Sequence, residues 1–232
     1  MIRYDQDGHI IRITFDSPAT SNRFTYRRMS DFIAALEQAR TSSALVLVLQ
    51  ANGDDFTLGR DQKEQLPVSR AESLGLILRA NALLRAFPGV SITLIQGRAH
   101  GFGVGLGLHS TIAIGASNAV LAFDEIKHGL PPLVVVTYLA DYVGPKIAAE
   151  LVVTGRDVAA PEALTLGLLN RVVAPDQLIP AGDALAQQLA AYPHSALRLI
   201  NTFNAERVHT APADQGQVAV DRLAGWIEAG RP

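Results

Sequence analysis

Four glycines recur at every second position of an otherwise apolar stretch, AHGFGVGLGLHST, at residues 99–111: Gly101, Gly103, Gly105 and Gly107. Glycine forms helices and strands poorly, so this run indicates either a backbone that passes close to another group or a tight packing corner. If a helix begins here, its first N–H groups have no partner within the helix and favour negative charge. The chemistry that such groups support is stabilisation of an oxyanion.

Three other glycine motifs are excluded by the sequence. The dinucleotide fingerprint G-x-G-x-x-G fails at its last glycine from every start, because Leu106, Leu108 and Ser110 stand there. The Gly-Lys-Ser/Thr of a phosphate-binding loop and the hydrolase elbow G-x-S-x-G occur nowhere. An oxyanion hole also needs a second donor, and the loop DDFTLGRD at 54–61 is the natural source. Both turns would then lie at one edge of the sheet.

The apolar pattern predicts the elements that must hold these two turns. Continuous apolar runs predict strands covered on both faces, and stripes repeating every three or four residues predict helices. The alternation indicates an α/β fold whose sheet is covered by helices. The predicted elements are a hairpin around Asp7-Gly8, helices over 25–40 and 69–87, and strands over 44–51, 90–97, 111–116, 119–123 and within 168–175.

The chain is predicted to divide near residue 175. Residues 1–175 contain all the predicted strands and form the expected core domain. Residues 176–232 read as helices with no strand to pack against, which predicts an appendage or an oligomer contact.

Composition excludes several functional classes. The 232 residues include 20 basic and 22 acidic side chains, and a net charge of −2 gives no case for a nucleic-acid or anionic-membrane partner. Cysteine is absent, which excludes disulfides, thiolate metal sites and cysteine nucleophiles. The first ten residues carry charges where an export signal needs an apolar core, and no apolar run is long enough to span a bilayer. We therefore expect a cytoplasmic protein without a membrane partner.

The order of four segments resembles that of the crotonase superfamily, which includes enoyl-CoA hydratases and isomerases. The segments are VLVLQANGDDFTLGRDQKE, ITLIQGRAHGFGVGLGL, AVLAFDEIKHGLPP and VVTGRDVAAPEALTLGLLNRVV, and the resemblance covers residues 10–180. It implies the ββα superhelix of the crotonase fold with a C-terminal helical trimerisation region. It also implies a homotrimer or a dimer of trimers, an acyl-CoA thioester substrate, and no cofactor or metal besides the coenzyme A of the substrate.

The resemblance implies an oxyanion hole formed by the backbone N–H groups of Arg60 and Phe102. These groups would hold the thioester carbonyl while a proton leaves the neighbouring carbon and an enolate forms. One such donor is typically worth about 2.7–4 kcal/mol of barrier. Arg23 and Lys63 are candidate contacts for coenzyme A phosphates, with solvated surface positions as the alternative. The remaining residues expected at the substrate site are Leu58, Gly59, Gly101, Gly105 and Asp61, the last with a turn or cap role favoured over an acid role.

The acid–base residues decide which reaction is expected. Hydratases of the family use two glutamates, and this chain has Gly105 at the first position and Glu125 at the second. Adding water needs one group for the water and another for the carbon, whereas moving a double bond needs a single base. We therefore expect an enoyl-CoA double-bond isomerase, from 3-enoyl to 2-enoyl, with Glu125 as the catalytic base. This role requires an apolar surround that raises the pKa of Glu125.

Two alternatives remain open. Asp124, His100 or His109 would supply a second acid–base group if the enzyme is a hydratase or a related lyase or hydrolase, although buried structural roles are favoured for both histidines. Asp124 would otherwise act only by raising the pKa of its neighbour through like-charge repulsion. The other alternative is a catalytically silent acyl-CoA-binding member of the family.

Two departures from the family pattern bear on the oxyanion hole. Phe102 stands where the family usually has glycine, so the position is expected to be strained if its φ is positive. Arg60 replaces a small residue, and its side chain is expected to fill part of the pocket or pair with a coenzyme A phosphate.

Overall fold

The computed structural model describes residues 1–207 and residue 229. Within these residues a six-stranded sheet has the order β1-β2-β3-β4-β6-β9, and a second sheet has the order β5-β7-β8. The β1–β2 and β7–β8 pairs are antiparallel, and the other pairs are parallel. The strands are β1 Ile2–Asp7, β2 Ile10–Phe15, β3 Val46–Ala51, β4 Val90–Ile95, β5 Arg98–His100, β6 Ile112–Ala116, β7 Val120–Ala122, β8 Val158–Ala159 and β9 Arg171–Val173.

Helices cover the large sheet, as the sequence predicts for an α/β fold. The stripe predicted over 25–40 forms a helix whose apolar positions are buried, and Thr25 caps it by accepting a hydrogen bond from the N–H of Arg28 at 3.2 Å. The helices are α1 Tyr26–Thr41, α2 Arg70–Arg85, α3 Phe102–His109, α4 Leu133–Val136, α5 Ala140–Val143, α6 Pro145–Thr154, α7 Ala160–Leu166, α8 Leu178–Ala190 and α9 His194–Arg207. None of the helices in the described residues is long and apolar enough to cross a membrane.

The helix α8 packs on the sheet, which corrects one expectation. Its apolar residues Leu178, Leu185 and Ala186 are buried in one cluster with side chains of β3, β4 and β6. The expectation that the chain after residue 176 has no strand to pack against is therefore wrong for 178–190. The division at residue 175 stays a prediction, and residues 208–228 and 230–232 lie outside the described residues.

The two turns singled out in the sequence meet at one edge of the small sheet. Thr57 forms a parallel bridge with Ala99 of β5, and Phe24 forms another with Arg60. The loop after β3 is thus held between residue 24 and β5, immediately beside the start of α3. This pairing is what brings the donor loop and the glycine run together.

An ion pair fastens the same loop to β5. The carboxylate of Asp55 accepts hydrogen bonds from the N–H, Nε and Nη2 of Arg98 at 3.0, 2.9 and 2.7 Å. The hydrogen bond from the Arg98 side chain is the main cause that lowers the pKa of Asp55 to about 2. The carboxylate therefore stays charged at neutral pH and holds the loop in place.

Candidate active site

A cavity of about 420 Å³ lies between the loop at 58–60, the start of α3, the helix α2 and the segment 124–135. Leu74, Ile77 and Leu133 are among the residues that make part of its wall apolar. Most of the predicted site residues line it: Arg23, Leu58, Gly59, Arg60, His100, Gly101, Phe102, Asp124 and Glu125. Four others do not line it: Asp61, Lys63, Gly105 and His109.

Two backbone N–H groups at this cavity have no hydrogen-bond partner in the described chain. The bridge at Arg60 uses its neighbours, because Phe24 N–H donates to Gly59 O at 2.8 Å and Asp61 N–H donates to Phe24 O at 2.9 Å. The N–H of Arg60 therefore takes no part in the bridge and points away from Phe24. Phe102 is the first residue of α3, whose N–H has no acceptor one turn earlier.

Glycine at residue 59 allows the two turns to touch. Its φ is +70°, and a Cβ there would stand 2.8 Å from His100 O and 3.6 Å from the nitrogen of Phe102. Any side chain at this position would push the loop away from α3. The free N–H groups of Arg60 and Phe102 thus belong to turns in direct contact, which is the arrangement that an oxyanion hole needs.

The carboxylate of Glu125 faces the same helix start. Its Oε1 lies 2.5 Å from the position that a Cβ on Gly101 would take, and Gly101 caps α3 with a φ of +49°. The Oε2 atom is buried and has no hydrogen-bond partner in the described part of the chain. Burial raises the pKa of Glu125, and the charge of Asp124 raises it further. Glu125 is therefore a desolvated carboxylate of the kind that takes up protons readily.

Asp124 is paired with two histidines beside Glu125. Its Oδ2 lies 2.8 Å from His100 Nδ1 and 3.3 Å from His128 Nε2. Burial acts to raise the pKa of Asp124, but the hydrogen bonds and charges of the two histidines outweigh it, so that the pKa is lowered. Asp124 thus keeps its negative charge and has the like-charge effect on Glu125 that the sequence led us to expect.

Arg60 lines the cavity, which agrees with one of the two expectations for its side chain, but pairing with a phosphate does not fit its contacts. Arg60 is only 8% exposed, and its Nη1 and Nη2 donate to the backbone oxygen and hydroxyl of Ser73 at 2.8 and 2.6 Å. The guanidinium is thus bound to α2 and is not free to pair with a phosphate. Phe102 does not have a positive φ, since the positive φ of this turn falls on Gly101, so the expected strain is absent. The Phe102 ring instead packs on Phe24, with centroids 5.1 Å apart.

Two of the predicted substrate contacts, Asp61 and Lys63, lie outside the lining of the cavity. Asp61 Oδ1 accepts a hydrogen bond from the N–H of Lys63 at 3.0 Å, which is the turn role favoured for Asp61. Neither residue borders the cavity. Arg23 does border it, and its Nη1 donates to Leu58 O at 3.3 Å. Of the two candidate phosphate contacts, only Arg23 lines the cavity, and the contact of Lys63 stays a prediction.

Tyr138 is a neighbour of the candidate site that the sequence did not reveal, although it does not line the cavity. Its hydroxyl oxygen lies 2.8 Å from the position of a Cβ on Gly105. The phenol thus occupies the space into which a side chain at residue 105 would extend. Burial raises the pKa of Tyr138, and the negative charge of Glu125 adds to this effect, so the phenol stays neutral. No motif links residues 105 and 138, and only the fold brings them together.

His109 has a structural role, as favoured from the sequence. It is 5% exposed and its ring packs on Tyr138 with centroids 4.5 Å apart. Its Nδ1 also lies 3.2 Å from Arg85 Nη1 and 3.5 Å from the hydroxyl of Tyr142. Burial, with a smaller contribution from the charge of Arg85, lowers the pKa of His109 to about 3. The imidazole is therefore neutral at physiological pH and holds Tyr138 in place.

The lowered pKa of His109 predicts a pH-dependent stability. Below pH 6.5 the unfolded chain binds a proton at His109 that the folded chain does not bind. The free energy of unfolding therefore decreases as the pH is lowered. We expect this residue to cost about 2 kcal/mol between pH 7 and pH 5. Urea unfolding at pH 5, 6 and 7 should show a shallower dependence for His109→Gln than for the wild type. Parallel pH profiles would contradict the assignment.

Comparison with solved structures identifies the fold. An enoyl-CoA hydratase from Mycobacterium smegmatis matches with a TM-score of 0.91 and 26% identity, over 96% of this chain and 89% of that chain. A structure described as enoyl-CoA hydratase subunit I from Geobacillus kaustophilus matches with a TM-score of 0.87 and 29% identity, over 98% and 90% of the two chains. The chain has the crotonase fold, as the resemblance implies.

Comparison of sequences identifies the family. The enoyl-CoA hydratase/isomerase family model matches residues 5–222. Human enoyl-CoA hydratase domain-containing protein 2, a mitochondrial protein, is 30% identical over 226 residues, which cover 93% of this chain and 72% of that protein. This chain belongs to the enoyl-CoA hydratase/isomerase family. It is an enzyme of a family that acts on acyl-CoA thioesters, and the family expectation is confirmed.

Proposed function

We propose that this enzyme moves the double bond of a 3-enoyl-CoA to the 2-position, with Glu125 as its single base. The observation that carries the proposal is the buried carboxylate of Glu125 beside the start of α3, with one oxygen unpaired. The place of a second carboxylate is filled by the hydroxyl of Tyr138 over Gly105. A neutral phenol does not deprotonate water, so the site has one carboxylate base where a hydratase of this family has two.

The proposed reaction is a proton transfer along one face of the acyl chain. Glu125 takes a proton from C2, and the electron pair moves through the carbonyl to the thioester oxygen. The N–H groups of Arg60 and Phe102 stabilise this enolate. The electron pair then returns, a double bond forms between C2 and C3, and Glu125 delivers its proton to C4. The raised pKa of Glu125 favours the first step, because a stronger base removes the proton more readily.

A hydratase is the second candidate, and the pairing of His100 with Asp124 favours it. Both residues line the cavity, and the hydrogen bond at 2.8 Å fixes the orientation of the imidazole. An oriented histidine beside Glu125 would supply the second acid–base group that the chain lacks at Gly105. We rank this candidate lower because hydration would need both His100 and Glu125 to act on one water and one carbon.

The two candidates are separated by the products formed from matched substrates. We expect 3-hexenoyl-CoA to be converted to 2-hexenoyl-CoA at least tenfold faster than 2-hexenoyl-CoA is hydrated. Liquid chromatography of both reactions gives the two rates. Faster hydration would favour the hydratase. If both rates are absent while CoA thioesters raise the unfolding temperature, the protein is a silent acyl-CoA-binding member.

The assembly and the location of the enzyme are also proposals. We propose a homotrimer or a dimer of trimers that needs no cofactor beyond the coenzyme A of its substrate. The resemblance to the family supports this assembly. Light scattering after size exclusion would measure the mass directly. A cytoplasmic location stays a prediction.

A further inference from the structure

His100 and Asp124 form a hydrogen-bonded pair that lines the cavity and has no role in the proposed isomerisation. The Asp124 carboxylate holds His100 Nδ1 at 2.8 Å, and both side chains are mostly buried, with 17% and 18% exposure. A carboxylate on Nδ1 fixes the tautomer that carries its proton there, so that Nε2 is left as a proton acceptor. The Nε2 of His100 has no hydrogen-bond partner in the described chain.

This imidazole belongs to a residue beside the oxyanion donors. His100 is the last residue of β5 and stands two residues before Phe102. Its backbone oxygen lies 2.8 Å from the position of a Cβ on Gly59, which directly precedes Arg60. A thioester whose oxygen lies between the two N–H groups therefore has its carbonyl group beside the backbone of His100, a residue that lines the same cavity.

Water reaches this end of the cavity. His128, which also contacts Asp124, lines the cavity with a side chain that is 60% exposed. A water molecule beside His100 would have a proton acceptor, a carbonyl carbon to attack and an oxyanion hole to receive the charge. These are the parts that hydrolysis of an acyl group requires.

We propose that the enzyme also hydrolyses acyl-CoA thioesters, with His100 as the general base and Asp124 as its positioning residue. Water attacks the carbonyl carbon while His100 takes a proton from the water. The electron pair of the C=O bond moves to the oxygen. When that pair returns, the C–S bond breaks and His100 gives its proton to the departing sulfur. The products are a carboxylic acid and free coenzyme A. The inference rests on the oxyanion hole of the proposed function but not on Glu125.

A saturated substrate separates this activity from isomerisation, because hexanoyl-CoA has no double bond to move. Release of free thiol is followed with a thiol-reactive dye, and the chain contributes no background since it contains no cysteine. We expect wild-type enzyme to release thiol above the buffer rate. His100→Gln should lower kcat about 10²-fold or more. The surface variant His9→Gln serves as the matched control and should match the wild type.

A second variant tests the proposal even if His100→Gln does not fold. Asp124→Asn keeps the imidazole but loses the charge that fixes its tautomer, so kcat should fall about tenfold or more with KM little changed. If wild-type enzyme isomerises 3-hexenoyl-CoA but releases no thiol from hexanoyl-CoA, the inference is wrong and the proposed function stands. Equal thiol release by wild type and His100→Gln would also overturn it. Thiol release without isomerisation would support the inference and count against the isomerase.

Discussion

Replacing Glu125 with glutamine is expected to lower kcat for isomerisation of 3-hexenoyl-CoA by about 10²–10⁴-fold, with little change in KM. Glutamine keeps the size and shape of the side chain but takes up no proton at neutral pH. The carboxylate is buried beside Gly101, and among the described residues that line the cavity no other carboxylate is both free of partners and desolvated. The neighbouring Asp124 is hydrogen-bonded to His100 and His128, so its carboxylate is not free.

The measurement is a steady-state assay on enzyme whose unfolding temperature has been checked. Glu37→Gln is a matched control, since Glu37 lies on α1 in an ion pair with Arg79, away from the cavity. We expect Glu37→Gln to retain wild-type kcat. If Glu125→Gln also retained it, Glu125 would be excluded as the base. Because the pKa of Glu125 is raised, lowering the pH should reduce the activity of the wild-type enzyme already at a pH above the ordinary carboxyl pKa of about 4.3.

The largest expected effect on stability is at Gly97, which links β4 to β5. Its φ is +52°, and a Cβ there would overlap the carbonyl oxygen of Asp54 and stand 2.9 Å from its carbon. Both obstacles are backbone atoms, so no side chain can rotate away. We expect Gly97→Ala to lower the free energy of unfolding by about 3 kcal/mol or more, because a left-handed conformation and a steric overlap act together.

Gly8→Ala separates these two causes. Gly8 has a φ of +53°, almost the same as Gly97, but a Cβ there would meet nothing within 4 Å. We expect this control to cost about 1–2 kcal/mol, from the backbone conformation alone. Urea unfolding of both variants gives the comparison. Similar losses at the two positions would show that the loop after β3 can shift, and the rigid approach to β5 would then be wrong.

The sequence predicts most of the framework because its signals are local. The hairpin at Asp7-Gly8, the stripe that becomes α1 and the apolar runs that become β3 and β4 depend on residues close together in the chain. The glycine run also predicts a close approach of the backbone to another group, because such an approach leaves no room for side chains. The packing of α8 does not follow from local signals, because its partners are strands more than sixty residues earlier in the chain.

The choice of Glu125 as the base for isomerisation also follows from the sequence, through its position after β7 and the absence of a carboxylate at Gly105. What the sequence does not contain is the environment of that base. The pKa of Glu125 is raised by burial, and burial is a property of everything that surrounds a side chain. Segments far apart in the chain supply those surroundings.

Tyr138, Arg60 and His109 show what only the tertiary structure decided. The phenol of Tyr138 fills the space above Gly105, the guanidinium of Arg60 is held by Ser73 on α2, and His109 supports Tyr138 from α3. The residues in these three contacts lie 13, 29 and 33 positions apart in the sequence. Residue types and spacing determined which groups are able to do chemistry. Packing between distant segments decided which of them are desolvated, paired or free, because those properties depend on neighbours in space.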